Sequence, residues 1–109
     1  MYREIRITVY TADKVAVYDE YGDPTELLGY VGEDEATELT ISLPTDWTGS
    51  FYLDWFYSGA WHEGTPAYTD HEIIYNVPSM PVGDVYMRVR IENGDTTAYT
   101  RQIKFVVKS

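Results

Sequence analysis

Few side chains in this sequence could do chemistry, and none of them sits in a recognised motif. His62 and His71 are the only histidines, nine residues apart, with Glu63, Asp70 and Glu72 beside them. Neutral imidazole plus carboxylate suits zinc and similar ions. The spacing matches no short zinc motif, however, and there is no cysteine to add a thiolate, so solvated loop residues are the better-supported reading. Two acidic turns, Asp19, Glu20 and Asp23, then Glu33, Asp34 and Glu35, offer the hard oxygens that calcium takes. Neither has the alternating acidic spacing closed by a Glu that a calcium loop uses. Acidic loops of this kind also keep sheet edges from pairing with other chains. Nucleophilic catalysis finds no support: there is no cysteine and no Gly-x-Ser-x-Gly elbow, and neither histidine has a catalytic context. With 18 acidic residues, some carboxylate pair at glycosidase spacing always exists, so such a pair carries no information. No catalytic, cofactor-binding or metal-binding residue is expected, and no enzyme activity.

Aromatic side chains remain the candidates for binding. The chain has 11 Tyr, 3 Trp and 3 Phe, 16% of all residues. Trp47, Tyr52, Phe56, Trp61 and Tyr68 could stack on sugar rings. The alternative is that Trp55 and its odd-numbered neighbours fill a core while the others pack against a covering loop or a partner chain. Tyr52, Phe56, Trp61 and Tyr68 are the expected partner contacts, because they lie off the odd-numbered register or in a long loop.

The elements that must position these residues are strands. Period-two alternation runs through the chain: Ile5, Ile7 and Val9; Val15 and Val17; Leu28 to Val31; Leu39, Ile41 and Leu43; then Phe51, Leu53, Trp55 and Tyr57. It continues in Ile73, Tyr75 and Val77, in Val85, Met87, Val89 and Ile91, and in Tyr99, Ile103, Phe105 and Val107, with Arg101 interrupting the last. Pro44 and Pro78 close strands because proline cannot donate to a ladder. Residues 58–70 hold two Gly and a Pro and read as a long loop. Asn93-Gly94 predicts a type I′ hairpin turn joining the last two strands antiparallel. No segment carries a helical stripe. Seven to nine short strands separated by turns predict an all-β, two-sheet antiparallel β-sandwich, in which facing the one-sided sheets buries both apolar stripes. Ile7, Ile41, Leu53, Trp55, Val89 and Phe105 should lie between the sheets.

Length and charge narrow the partners. At 109 residues a single domain spanning 1–109 is the natural count. Eight basic against 18 acidic residues give a formal net charge of −10, which repels nucleic acid and anionic membranes alike. No run is long and apolar enough to span a bilayer. Met1 leads straight into a charged, strand-like segment, so no signal peptide is expected.

Several segments resemble the N-terminal domain of upper baseplate or tail-associated structural proteins from phages and prophages of Gram-positive bacteria. They are Tyr2-Arg3-Glu4-Ile5-Arg6-Ile7, Leu28-Gly29-Tyr30-Val31-Gly32-Glu33 leading into Ala36-Thr37-Glu38-Leu39, and Phe51-Tyr52-Leu53-Asp54-Trp55-Phe56. Ile73-Ile74-Tyr75-Asn76-Val77-Pro78 and Pro81-Val82-Gly83-Asp84-Val85 complete the likeness, which covers most of the chain. It implies an immunoglobulin-like sandwich that docks to other virion or tail subunits or to itself, made in the bacterial cytoplasm as a virion component. Members of that family usually continue into further domains, so the chain is either the N-terminal domain of a longer protein or a small protein in full. The rival expectation is a carbohydrate-binding β-sandwich module with a glycan partner.

Overall fold

Wherever apolar and polar residues alternate, the chain is extended. The computed structural model describes residues 3–64, the backbone of 66–67, and residues 71–109. Its strands are β1 (Arg3–Val9), β2 (Val15–Asp19), β3 (Leu27–Tyr30), β4 (Thr37–Ser42), β5 (Ser50–Tyr57) and β6 (Ala60–His62). They continue with β7 (Pro66–Ala67), β8 (Glu72–Asn76), β9 (Gly83–Asn93), β10 (Thr96–Tyr99) and β11 (Ile103–Lys108). Among the described residues there is no helix.

The strands form two sheets. The smaller runs β2-β1-β4-β8 and the larger β3-β11-β9-β5-β6, with β10 beside the second half of β9 and β7 beside the start of β5. The inner faces meet in one apolar core. Ile5, Ile7, Leu39, Ile41 and Ile73 enter it from the smaller sheet, and Leu53, Trp55, Met87, Val89 and Phe105 from the larger. All six residues expected between the sheets are buried. Trp55 packs against Tyr75 and Phe105, with ring centroids 6.0 and 6.2 Å apart.

The sheets are mixed rather than wholly antiparallel. The chain leaves the smaller sheet after β2, adds β3 to the larger one and returns as β4, so β4 runs parallel to β1 and β3 parallel to β11. Alternation specifies which face a residue takes, not the direction of its neighbour strand. Among the described residues eleven strands form where seven to nine were expected, chiefly because β6 and β7 lie within the stretch expected to be a loop. Ser58 and Gly59, with φ of 53° and 78°, make a two-residue turn with the sign pattern of type I′, and it pairs β6 back onto β5. The hairpin expected at Asn93-Gly94 forms and joins β9 to β10 antiparallel, but its turn lies one residue further on. Asn93 is the last residue of β9 and pairs with Thr96, so the turn residues are Gly94 and Asp95. Only Gly94 has positive φ, 60°, as in a type II′ turn.

Arg101 interrupts its strand for a structural reason. Thr100 turns inward, its N–H donating to the Val89 carbonyl at 2.9 Å and its hydroxyl accepting from the Val89 N–H at 2.9 Å. This break between β10 and β11 flips the side-chain phase. Ile103, Phe105 and Val107 therefore face the core, whereas Tyr99, expected beside them, is 46% exposed.

Candidate functional site

Because β5 and β9 alternate, their even-numbered residues stand on the outer face of the larger sheet. Register sets Tyr52 opposite Arg90, Asp54 opposite Arg88 and Phe56 opposite Tyr86. Strand β6 adds Trp61 beside Phe56, and β10 adds Tyr99 beside Arg90. The Arg88 guanidinium lies 4.0 Å from the ring centroids of both Trp61 and Tyr99, held between the two. Arg90 sits 4.0 Å from the Tyr52 ring. Phe56 meets Trp61 edge-on at 5.3 Å and Tyr86 at 6.3 Å. Planar, weakly hydrated guanidinium stacks well on aromatic faces, so the layer is rigid.

Its anchor is Asp54, a carboxylate with no solvent exposure. Arg90 donates through Nε at 3.0 Å and Nη2 at 3.4 Å, Arg88 through Nε at 3.2 Å, and the Gly64 amide at 3.2 Å. The segment that covers Asp54 approaches so closely that a Cβ on Gly64 would run into the Leu53 carbonyl; only glycine allows it. Burial pulls the Arg90 pKa down, but the hydrogen bond to Asp54 and the charges of Asp54 and Glu92 outweigh it and hold the group above its ordinary value. Glu92 pairs with Arg90 at 2.9 Å and Glu63 lies 4.0 Å away. Two cations among three carboxylates leave the layer close to neutral.

Of the expected partner contacts, Phe56 and Trp61 touch, Tyr52 stands on the same face with Asp54 between it and Phe56, and Tyr68 lies outside the described residues. All three described aromatics are half-buried against each other and the arginines, not free-standing. The sequence reading missed Arg88, Arg90, Tyr86 and Tyr99. The signal was present: Tyr86, Arg88 and Arg90 share the even register that placed Tyr52, Asp54 and Phe56 outside.

Trp47 is placed elsewhere. With Tyr10, Thr11, Asp46, Thr48 and Ile91 it lines a cleft of about 490 Å³ at the end of the sandwich where β1, β4 and β9 finish. Ala12, Pro44, Ala98 and Tyr99 complete the lining.

The histidines do not converge. His62 stacks on Tyr57 at 3.9 Å, while His71 Nε2 bonds the Trp47 carbonyl at 2.7 Å. The acidic turns are spent on local structure. Asp19 accepts the amides of Tyr21 and Asp23, and Asp34 that of Ser79. Glu33 takes a bidentate pair from Arg3 at 2.8 and 3.2 Å and the Tyr30 amide at 2.7 Å. The Arg3 hydrogen bond, then that of Tyr30, holds the Glu33 pKa below its ordinary value of 4.5. Among the described residues, no three His, Asp or Glu side chains group as metal ligands would, and no helix is long and apolar enough to cross a membrane.

No protein-family model, curated protein or solved structure matches the chain. Fold and site together define a structural class: an all-β sandwich with an aromatic and arginine layer outside one sheet and an aromatic cleft at one end.

Proposed function

We propose that the chain is a non-enzymatic docking domain of a phage or prophage tail or baseplate, binding a neighbouring subunit through the outer face of its larger sheet. The observation that carries the docking part is the composition of that face. Trp61, Tyr99, Tyr52, Phe56 and Tyr86 surround Arg88 and Arg90, and Trp, Tyr and Arg are the residues that dominate binding energy at protein interfaces. Asp54 already fixes the arginines in place, so little side-chain entropy is lost when a partner arrives. The tail or baseplate setting rests on the resemblance of the strand and turn segments described above.

The test is co-expression with the proteins encoded beside its gene, followed by measurement of complex mass in solution. A defined complex should form with a tail or baseplate subunit, and Trp61→Ala with Tyr99→Ala should weaken it at least tenfold, about 1.4 kcal/mol, while the isolated domain stays folded. Unchanged affinity in that double variant removes the outer face from the account. Neighbouring genes for glycosidases in place of virion proteins would favour the carbohydrate-binding rival.

A further inference from the structure

We propose that the cleft at the end of the sandwich is a second binding site, bordering the docking face at Tyr99 and otherwise distinct from it, and that it takes the ring of a neutral saccharide. Its volume of about 490 Å³ lies within the roughly 300–1,000 Å³ of small-ligand clefts. Three aromatic residues, Tyr10, Trp47 and Tyr99, stand in a lining otherwise made apolar by Ala12, Pro44, Ile91 and Ala98. Such walls require a ligand with an apolar face.

The polar groups define the rest of the ligand. Asp46, Thr11 and Thr48 supply a carboxylate and two hydroxyls. Among the described residues the charged side chain in the lining is that of Asp46, while Lys14 Nζ stands against the Tyr10 ring, 5.4 Å from its centroid; Asp46 and the chain's net charge of −10 disfavour a phosphate or carboxylate ligand. The Thr48 hydroxyl accepts from Asn93 Nδ2 at 2.9 Å, which leaves its own hydrogen to donate. A pyranose ring fits both demands: its C–H face lies on an aromatic ring, and its hydroxyls donate to a carboxylate and exchange hydrogen bonds with threonines.

The walls are built to stay apart. On one side the Trp47 amide closes a turn on the Pro44 carbonyl at 3.1 Å, and the Trp47 carbonyl is held by His71 at 2.7 Å. On the other, the Arg101 amide bonds the Ala12 carbonyl at 2.7 Å and Arg101 Nη2 bonds that of Val15 at 3.0 Å. These bonds tie both loops to the framework behind them. Preorganisation of this kind lowers the ordering cost of binding.

The test uses the isotope-labelled full chain and two-dimensional amide NMR. The probes are glucose, galactose, rhamnose and N-acetylglucosamine with their methyl glycosides, and tetramethylammonium as a cation of similar size. At least one saccharide should shift amides of residues 10–12, 44–48 and 98–99 saturably, in the millimolar range. Tyr10→Ala and Asp46→Ala, both at exposed positions, should each weaken it at least tenfold with the spectrum otherwise intact. Trp61→Ala should leave it unchanged, which separates this site from the docking face. Silence from every saccharide overturns the proposal. So do shifts that survive both cleft variants, or a response to tetramethylammonium alone, which would mark a cation site.

Discussion

Asp54→Ala is the sharpest test of how the outer layer is held. The carboxylate is fully buried and accepts from Arg90 at 3.0 and 3.4 Å, Arg88 at 3.2 Å and Gly64 at 3.2 Å. Hydrogen bonds to charged groups contribute about 1.5–3 kcal/mol each, and breaking a buried ion pair costs about 3–5 kcal/mol because a charge is left uncompensated. Arg90 keeps Glu92 at 2.9 Å, which softens its loss. Among the described residues Arg88 keeps the rings of Trp61 and Tyr99 but no carboxylate. We therefore expect a loss of about 3–4 kcal/mol, read from urea unfolding at unchanged slope. At roughly 4 °C or more per kcal/mol for a domain of this size, the midpoint should fall by well over ten degrees. A double-mutant cycle with Arg90→Ala should show coupling above about 1 kcal/mol. A loss under about 1 kcal/mol would mean that water already screens the pair, and the rigidity argued for the layer would fail.

Three further outcomes follow from the same geometry. Trp55→Ala should cost about 3–5 kcal/mol, because the ring fills the core; a midpoint within a degree of the parent would place Trp55 at the surface. Calcium, zinc or a chelator should leave the melting temperature nearly unchanged, since the acidic turns are tied to backbone amides and to Arg3. A native-state ligand at a hundredfold excess over its dissociation constant adds about 2.7 kcal/mol, which a melting scan would reveal. The Glu33 pKa is lower folded than unfolded, so its pairing contributes stability above the ordinary value of 4.5 that is lost as pH falls through the lower folded value. Glu33→Gln should flatten that part of the acid profile, and an identical profile would show that the Arg3 pair contributes nothing to it.

Alternation made most of the fold legible. Ile5, Ile7 and Val9, or Val85, Met87 and Val89, announce one buried face whatever the tertiary structure. What alternation cannot carry is strand direction, because parallel and antiparallel neighbours bury the same residues; hence β1 beside β4 went unforeseen. The β5 to β6 hairpin was hidden because Gly and Pro in residues 58–70 read as loop, and Ser58-Gly59 marks a turn without specifying a hairpin. Tyr99 went to the wrong face because the inward turn at Thr100 shifts the phase, and Arg101 breaking the pattern was its one visible trace. The aromatic half of the site was legible in Tyr52, Phe56 and Trp61. The arginine half was not, since Arg88 and Arg90 look like ordinary solvent-facing alternates until register sets them against Asp54.

Hydrogen exchange on the domain alone and within the assembled tail or baseplate particle tests the central claim most directly. The docking account predicts added protection in β5, β6, β9 and β10, centred on Trp61, Arg88 and Tyr99, with the smaller sheet unchanged. Protection confined to the smaller sheet, or particles that form without the protein, would contradict it.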